Sequence, residues 1–496
     1  MAAGDRAYQQ GRYAEAERFF AAALERAERI GLQDPRVALS LGLLAAAYQA
    51  EGQYAPAEPL LRRALAIAEG ALGPDHPEVA ATLTALGALA AARGRYAEAE
   101  PLLKRALAID ERVLGPEHLE VAGTLDALAV LDRLQGRYGD AELRSRRALA
   151  IREKALGPEH VDVAASLTGL AALYRIQSRY VEAEQLAQRA LVIREKALGP
   201  QHPELIAPLV ILGELHVEQG RFVPAEPLGR RALAVAENAL GPEHPETAGA
   251  LDLLAGLARI RGRYAEAETL GRRALAAREK SLGAEHPDVA ATLDGLAELA
   301  VLRQNAAQAE PLARRALAIQ EKTLGPEHPD LARSLRVLGE AQRLQNRYGE
   351  AEPAYQRALA IDEKRFGRES PRVALDLGSL ATLYRLQSRY AQAEPLYRRA
   401  QAIGEKVLGP EHPQVAATIV DLASLYRAQS RFAQAEPLYQ WALTLQRKAL
   451  GPDHPEVALS LDEYAALLKQ INREAEATEL EGQARAIRAK AAAPAR

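Results

Sequence analysis

A single spacing constrains this chain more than any other feature. The aromatic residues Tyr54, Tyr96, Tyr138, Tyr180, Phe222, Tyr264, Tyr348, Tyr390 and Phe432 are separated by 42 residues or a multiple of 42, and Tyr13 stands one residue off the same register. Around each lies an edited copy of the stretch from Leu408 to Leu450. Self-similarity at such a period marks stacked supersecondary units, none of which buries its apolar face alone. A fold built round one central core is thereby excluded. A chain of 496 residues would otherwise be expected to split into several domains, whereas a solenoid lengthens by adding units.

The copy from His160 to Leu198 shows what one unit is. Val163, Ala164, Leu167, Leu170, Ala171 and Tyr174 fall at i, i+3, i+4, i+7 spacing, which predicts a helix. Ser178-Arg179 interrupts it, and Tyr180, Ala183, Leu186, Ala187, Ala190, Leu191 and Ile193 predict a second helix, stopped at Leu198-Gly199-Pro200. Eight copies carry Leu-Gly-Pro at this stop, and seven place His-Pro at the next start, where proline suits the first helical position. Nine residues before the aromatic position the residue is Gly or Ala in all twelve copies, from Gly4 and Ala45 to Ala465. Three residues after it all twelve have alanine, from Ala16 to Ala477. Small residues at both places let two helices approach closely while Leu and Tyr pack around them. Each unit is therefore expected to be an antiparallel helical hairpin.

The small residue, the aromatic, the Gly-Arg-Tyr before the second helix and the alanine after it resemble the tetratricopeptide repeat. The long period, with LGPEHPEVA joining RALAIREK to the next helix, is similar to the kinesin light chain form of that repeat. The resemblance implies an all-α, right-handed superhelical solenoid of about 12 antiparallel hairpins, with first helices lining a concave groove that holds peptides. One departure matters. Kinesin light chains carry paired asparagines in the first helix to clamp the ligand backbone, and the matching places here read Leu83–Leu86 LTAL, Leu125–Leu128 LDAL, Leu167–Leu170 LTGL and Leu293–Leu296 LDGL. Motor-cargo function is not expected to carry over.

The pattern predicts one continuous array over residues 1–490, with hairpins near 2–29, 35–72, 77–114, 119–156, 161–198, 203–240, 245–282, 287–324, 329–366, 371–408 and 413–450. A closing unit at 455–490 has Glu474 in the aromatic position and Thr478 and Glu481 in its second helix, the polar face a terminal repeat needs. A tail at 491–496 is expected to fray. Pro208, inside the first helix of the sixth copy, predicts a kink, and Ala306 takes the aromatic position in the eighth. The prolines of Ala-Glu-Pro, such as Pro101 and Pro395, are expected near the first turn of the second helix, where few backbone donors are in use.

Composition narrows function by exclusion. Lys plus Arg (63) nearly balances Asp plus Glu (66), so bulk charge gives no argument for nucleic acid or an anionic membrane. Cysteine is absent, which removes thiol catalysis, disulfides and cysteine metal sites together. The start, MAAGDRAYQQGRY, has no apolar signal core, and the longest uncharged run, Val79–Ala92, is shorter than the roughly 18 apolar residues of a membrane span. The expectation is a soluble cytoplasmic protein with no membrane or nucleic-acid partner. Nine of ten histidines lie in the inter-repeat loop. Equivalent loops should sit on the order of 10 Å apart, too far for imidazoles that must reach zinc at about 2.0–2.1 Å. Those histidines are read as structural, at helix starts, with no metal or other cofactor. No phosphate loop, catalytic triad order or nucleophile elbow is present, so the chain is not expected to be an enzyme.

Candidate binding residues follow from the family register, which implies that the residue five before the aromatic faces the groove. It is basic in seven copies: Arg133, Arg175, Arg259, Arg343, Arg385, Arg427 and Lys469. A row of guanidinium groups suits carboxylates along an extended segment. Glu340 stands three residues before Arg343, but Ala172, Thr382 and Ser424 hold that place before Arg175, Arg385 and Arg427, which are therefore expected to be the freest. Tyr384 and Tyr426, beside two of these arginines, are expected to form the wall on which they stand. They belong to an aromatic cluster with Tyr355, Tyr397, Tyr439 and Trp441. The leading expectation is a non-enzymatic adaptor holding a protein or extended, acidic peptide segment in the groove. The alternative is a self-associating architectural scaffold, or the sensor arm of a larger signalling assembly.

Overall fold

The computed structural model describes residues 1–492, and among them the chain forms 24 α-helices, one short 3-10 turn and no strand. The helices alternate as first and second arms of twelve hairpins. Residues 493–496 of the expected tail lie outside the described residues, and the last helix runs Glu474–Ala492. Contacts group the chain into two compact units: Met1–Leu215, Val223–Leu253 and Arg273–Val289 form one, and His216–Phe222, Leu254–Arg272 and residues from Ala290 onward form the other.

The small residues do what their spacing predicts. Ala45, Ala171 and Ala381 are fully buried. A Cβ added at Gly87 would lie 2.5 Å from Leu103 of its own hairpin, and one at Gly339 would lie 2.7 Å from Tyr355. Second helices end on glycines in the left-handed region, such as Gly73 at φ +89° and Gly157 at φ +87°.

Pro208 does not kink a helix. The sixth repeat opens with the 3-10 turn Pro203–Leu205 and its α-helix begins only at Ile206, so Pro208 falls in the first turn, where its missing N–H costs no bond. The Ala-Glu-Pro prolines need the opposite correction. Pro59 and Pro395 are the sixth residues of helices that start at Tyr54 and Tyr390, one turn past the free donors, so each removes one helical bond.

All nine loop histidines cap the next helix. His76 Nδ1 accepts from the Glu78 N–H at 3.2 Å, and His118, His160, His202, His244, His286, His328, His412 and His454 repeat the bond two residues on. Because Nδ1 accepts, the ring is the neutral tautomer with its proton on Nε2. In several repeats that proton meets a helix end far upstream. In the first unit His202 donates to the Gln9 carbonyl at 3.1 Å and His286 to the Ala92 carbonyl at 2.9 Å. The His244 ring lies near the Ala50 carbonyl, but its buried Nε2 makes no hydrogen bond among the described residues. In the second unit His412 donates to the Glu218 carbonyl at 3.2 Å, and His454 to that of Ile260. Each unit thus coils back on itself after 194 residues.

The neighbouring proline sets the residue type of the turn it covers. Gly11, Gly52 and Gly94 have φ between +70° and +72°, and a Cβ there would lie 2.6, 2.8 and 3.0 Å from Pro203, Pro245 and Pro287. Gly220 and Gly262 meet Pro413 and Pro455 at 3.0 and 2.5 Å. At these five turns the positive φ disfavours a side chain and the neighbouring proline leaves little or no room for one. Turns at Asn346, Ser388, Ser430 and Asn472 hold the same left-handed conformation with side chains.

Burial pushes the His244 ring down to about 4, because its charged form is poorly solvated and its Nδ1 is needed as an acceptor. A depressed histidine contributes stability in full above its unfolded value of about 6.5 and loses it as pH falls toward the folded value. His244→Asn keeps an N-cap that does not titrate. Its unfolding free energy should shift in the variant's favour by about 2 kcal/mol, relative to wild type, between pH 7.5 and pH 5. Parallel denaturant titrations at both pH values check this, and a constant difference would rule out the neutral cap.

Candidate functional site

Repeats nine to twelve run Asp330–Leu344 with Tyr348–Phe366, Pro371–Leu386 with Tyr390–Val407, Pro413–Ala428 with Phe432–Leu450, and Pro455–Gln470 with Glu474–Ala492. Their first helices touch one another in succession and form one continuous wall of the second unit. Behind this wall Tyr355, Tyr397 and Tyr439 of the second helices are fully buried at one register. The Tyr397 hydroxyl bonds Thr382 Oγ1 at 2.8 Å, and the Tyr439 hydroxyl bonds Ser424 Oγ at 2.8 Å and takes a bond from Arg427 Nε at 3.4 Å. The aromatic enrichment of these repeats thus serves as packing that fixes polar groups on the wall.

The structure provides the predicted basic row with partners that reading along one helix misses. Arg175 pairs with Glu214 at 3.2 Å, Arg259 with Glu298 at 3.3 Å, and Arg427 with Glu463 at 2.7 Å, each acid standing on the first helix of the next repeat. Arg343 takes Glu340 on its own helix at 2.8 Å, and Lys469 takes Glu481. The expectation that Arg175 and Arg427 are free is therefore corrected: acids one repeat on replace the ones absent from their own helices. Arg133, in the first unit, and Arg385, in the second, form no ion pair among the described residues. Arg133 is half-buried, and burial together with the nearby Arg175 pushes its pKa down. Arg385 lies against the Tyr397 hydroxyl, and its buried Nε lacks a hydrogen-bond partner.

Tyr384 and Tyr426 lie in the first helices of repeats ten and eleven. Both are buried, and their hydroxyls donate to Glu352 and Glu394, on the second helices of the preceding repeats, at 3.0 Å. Arg389 and Arg431 stack over the two rings at 4.0 and 4.1 Å from the centroids. Tyr174 repeats the arrangement with Glu142 and Arg179. This Tyr–Glu–Arg clasp joins one repeat to the next.

Between the first helices of repeats nine, ten and eleven lies a cleft of about 300 Å³, lined by Glu340, Arg343, Gly378, Thr382, Thr418 and Asp421 among others. A break in a polar ladder opens it. In most repeats one second-helix side chain reaches forward under the first helices: Asp110 accepts from Thr124 at 2.9 Å, Arg152 donates to Ser166 at 2.5 Å, and Gln320 accepts from Ser334 at 2.7 Å and donates to Asp294 at 3.3 Å. In repeat ten the corresponding residue is Gly404; Thr418 takes the place of Ser334 on the next first helix, and Gly378 takes the place of Asp294 on its own. A Cβ built on Gly378 would meet no atom within 4 Å, so the floor is open there, whereas one on Gly404 would lie 2.9 Å from Val415. Asp421 closes the far side. Burial pushes its carboxyl up to about 6, against the pull of Arg385. Asp421, Glu463 and the two glycines were not read from the sequence as site residues. The signal was an acid 36 residues after Arg385 and after Arg427, visible only when one repeat is read against the next.

The tetratricopeptide-repeat family model matches the chain in overlapping stretches, at residues 3–70, 36–112, 78–154, 144–196, 162–238, 225–280, 246–322, 288–364, 372–448 and 431–490. Among solved structures, the nearly identical TPR-like repeats of a candidate kinesin light chain from Podosopora anserina are 30% identical, covering 42% of this chain and 98% of theirs, with a TM-score of 0.33. BtubC (BKLC) from P. vanneervenii is 21% identical over 48% of this chain and 94% of its own, with a TM-score of 0.35. A Rap protein complexed with Competence and Sporulation Factor covers 84% of this chain and 99% of its own at 14% identity, with a TM-score of 0.50, which shows a shared fold. No curated protein is significantly similar in sequence. Twenty-four helices in tandem hairpins, with small residues at each crossing and the family model matched from residue 3 to residue 490, place this chain in the tetratricopeptide-repeat family, whose solenoids are typical of protein-interaction adaptors.

Proposed function

We propose that the chain is a non-enzymatic adaptor that holds an extended segment of a partner protein along the inner wall of repeats nine to twelve. The observation that carries this reading is Arg385. Its neighbours in the basic row, Arg343 and Arg427, already hold acids at 2.8 and 2.7 Å, whereas Arg385 has none and keeps a buried Nε without a partner. A guanidinium held in place beside Tyr397, with donor capacity unspent, is prepared for a carboxylate. The bound segment is accordingly acidic at one residue or ends in a carboxylate there.

The test is a displayed library of random twelve-residue peptides selected on the immobilised chain, with affinities of recovered peptides measured by fluorescence anisotropy. Recovered sequences should be enriched in Asp and Glu. Arg385→Ala should weaken them roughly tenfold to a hundredfold, since a charge-assisted bond contributes about 1.5–3 kcal/mol. Affinity should fall as salt rises. Arg62 and Arg63 pair with Glu58, Glu98 and Glu28 on the second helices, and their double alanine variant should bind as wild type does. Equal losses at both places, or no enriched peptide at all, would end this reading.

A further inference from the structure

We infer that the cleft beside Arg385 is a pocket for a cationic side chain, lysine or arginine, carried by the same bound segment. The inference rests on the adaptor reading and goes beyond it, because that reading accounts for an anion only. The charges on the wall decide the matter. Arg343 is met by Glu340 at 2.8 Å and Arg427 by Glu463 at 2.7 Å. Arg385 is met, in the complex, by the carboxylate of the segment. Among the described residues, Asp421 then remains as the one anion lining the cleft with no ion pair and no hydrogen bond to a side chain. Delivering a carboxylate to Arg385 also removes the only nearby cation that favours an ionised Asp421 and is not already paired. A ligand bearing a negative group alone would therefore be penalised at this place, and one bearing both signs is not.

Space and lining agree. A Cβ built on Gly378 has no atom within 4 Å, so the floor is open where repeats such as those of Asp126, Asp252 and Asp294 carry a polar side chain. A volume of about 300 Å³ suits one long side chain better than an aromatic cluster or a folded domain. Thr382 and Thr418 offer hydroxyl oxygens, and Ala374 and Leu375 offer apolar surface for a methylene stem beneath a charged head. The groups that face Asp421 are Arg385 from repeat ten, Glu340 and Arg343 from repeat nine, and Glu463 from repeat twelve. Glu340 and Glu463 are held by Arg343 and Arg427, so once a carboxylate meets Arg385 the charge left over in the cleft is that of Asp421.

The peptides recovered from the random twelve-residue library test this directly. Basic residues should be enriched near the acidic one. A recovered peptide and its analogue with the lysine replaced by norleucine are then titrated against wild type, Asp421→Asn, Gly378→Leu and Arg385→Ala. Wild type should prefer the lysine peptide at least tenfold, and Asp421→Asn should reduce that preference to less than twofold. Gly378→Leu fills the cleft and should abolish binding of the lysine peptide, while its circular dichroism is unchanged and its Tm is equal to or above that of wild type, because leucine is the better helix former and meets open space. The inference is overturned if the analogue binds as tightly as the lysine peptide, or if Asp421→Asn and Gly378→Leu leave affinity intact while Arg385→Ala removes it, in which case the adaptor reading survives alone. If none of the three variants changes affinity, both fall.

Discussion

Removal of residues 455–496 is expected to yield a chain that aggregates and melts roughly ten degrees or more below the parent. Val457, Leu461, Leu467, Leu468, Ala477 and Ile487 are buried in one cluster with Leu422, Tyr426, Tyr439 and Leu443 of repeat eleven. Without them that apolar face meets water, at a cost of about 1.5–3 kcal/mol for each large side chain uncovered. On the opposite face of the last helix Glu474, Glu476, Thr478 and Glu479 are exposed. A polar outer face and an apolar inner one are what a closing repeat requires. Differential scanning calorimetry with light scattering checks the expectation. A truncated chain as soluble and as stable as the parent would mean that repeat twelve is not a cap.

The second large effect is expected at Tyr439. Tyr439→Ala should destabilise the last two repeats by about 3–5 kcal/mol, the range for deleting a buried aromatic ring. The ring is fully buried, stacks on Tyr464 with centroids 5.8 Å apart, and holds both Ser424 and Arg427 by its hydroxyl. Tyr439→Phe separates the two contributions, because it keeps the packing and loses only hydrogen bonds of about 1 kcal/mol each. Hydrogen exchange should accelerate through residues 413–470 in the alanine variant far more than in the phenylalanine one. Equal acceleration would place the energy in the hydroxyl, contrary to the packing argument.

The fold was legible because its determinants are local and repeated. Ala45, Gly87 and Gly339 mark helix crossings, Gly73 and His76 mark a stop and a start, and each signal recurs every 42 residues. The return of the chain on itself was not legible, because it arises from small rotations summed over several repeats. It left traces all the same: glycine at Gly11, Gly52 and Gly94, with proline about 193 residues later at Pro203, Pro245 and Pro287. Site residues were partly legible. The basic register at Arg343, Arg385 and Arg427 follows from one helix, but ion pairs such as Arg427 with Glu463 cross between repeats and depend on how far one helix is displaced along the next. The tyrosines show the same limit. Tyr384 sits next to Arg385 in sequence, yet one helical step turns it toward Glu352 of the preceding repeat. The cleft was hidden for a different reason: its floor is the side chain that Gly378 does not have.

The central claim is that partners are held on the inner wall formed by the first helices. Hydrogen exchange of the full chain with and without a saturating library-selected peptide tests it most directly. Protection is predicted in residues 371–386 and 413–428, with the second helices at 390–407 and 432–450 unchanged. Protection confined to the second helices, or no protection at a peptide concentration that saturates binding, would contradict it.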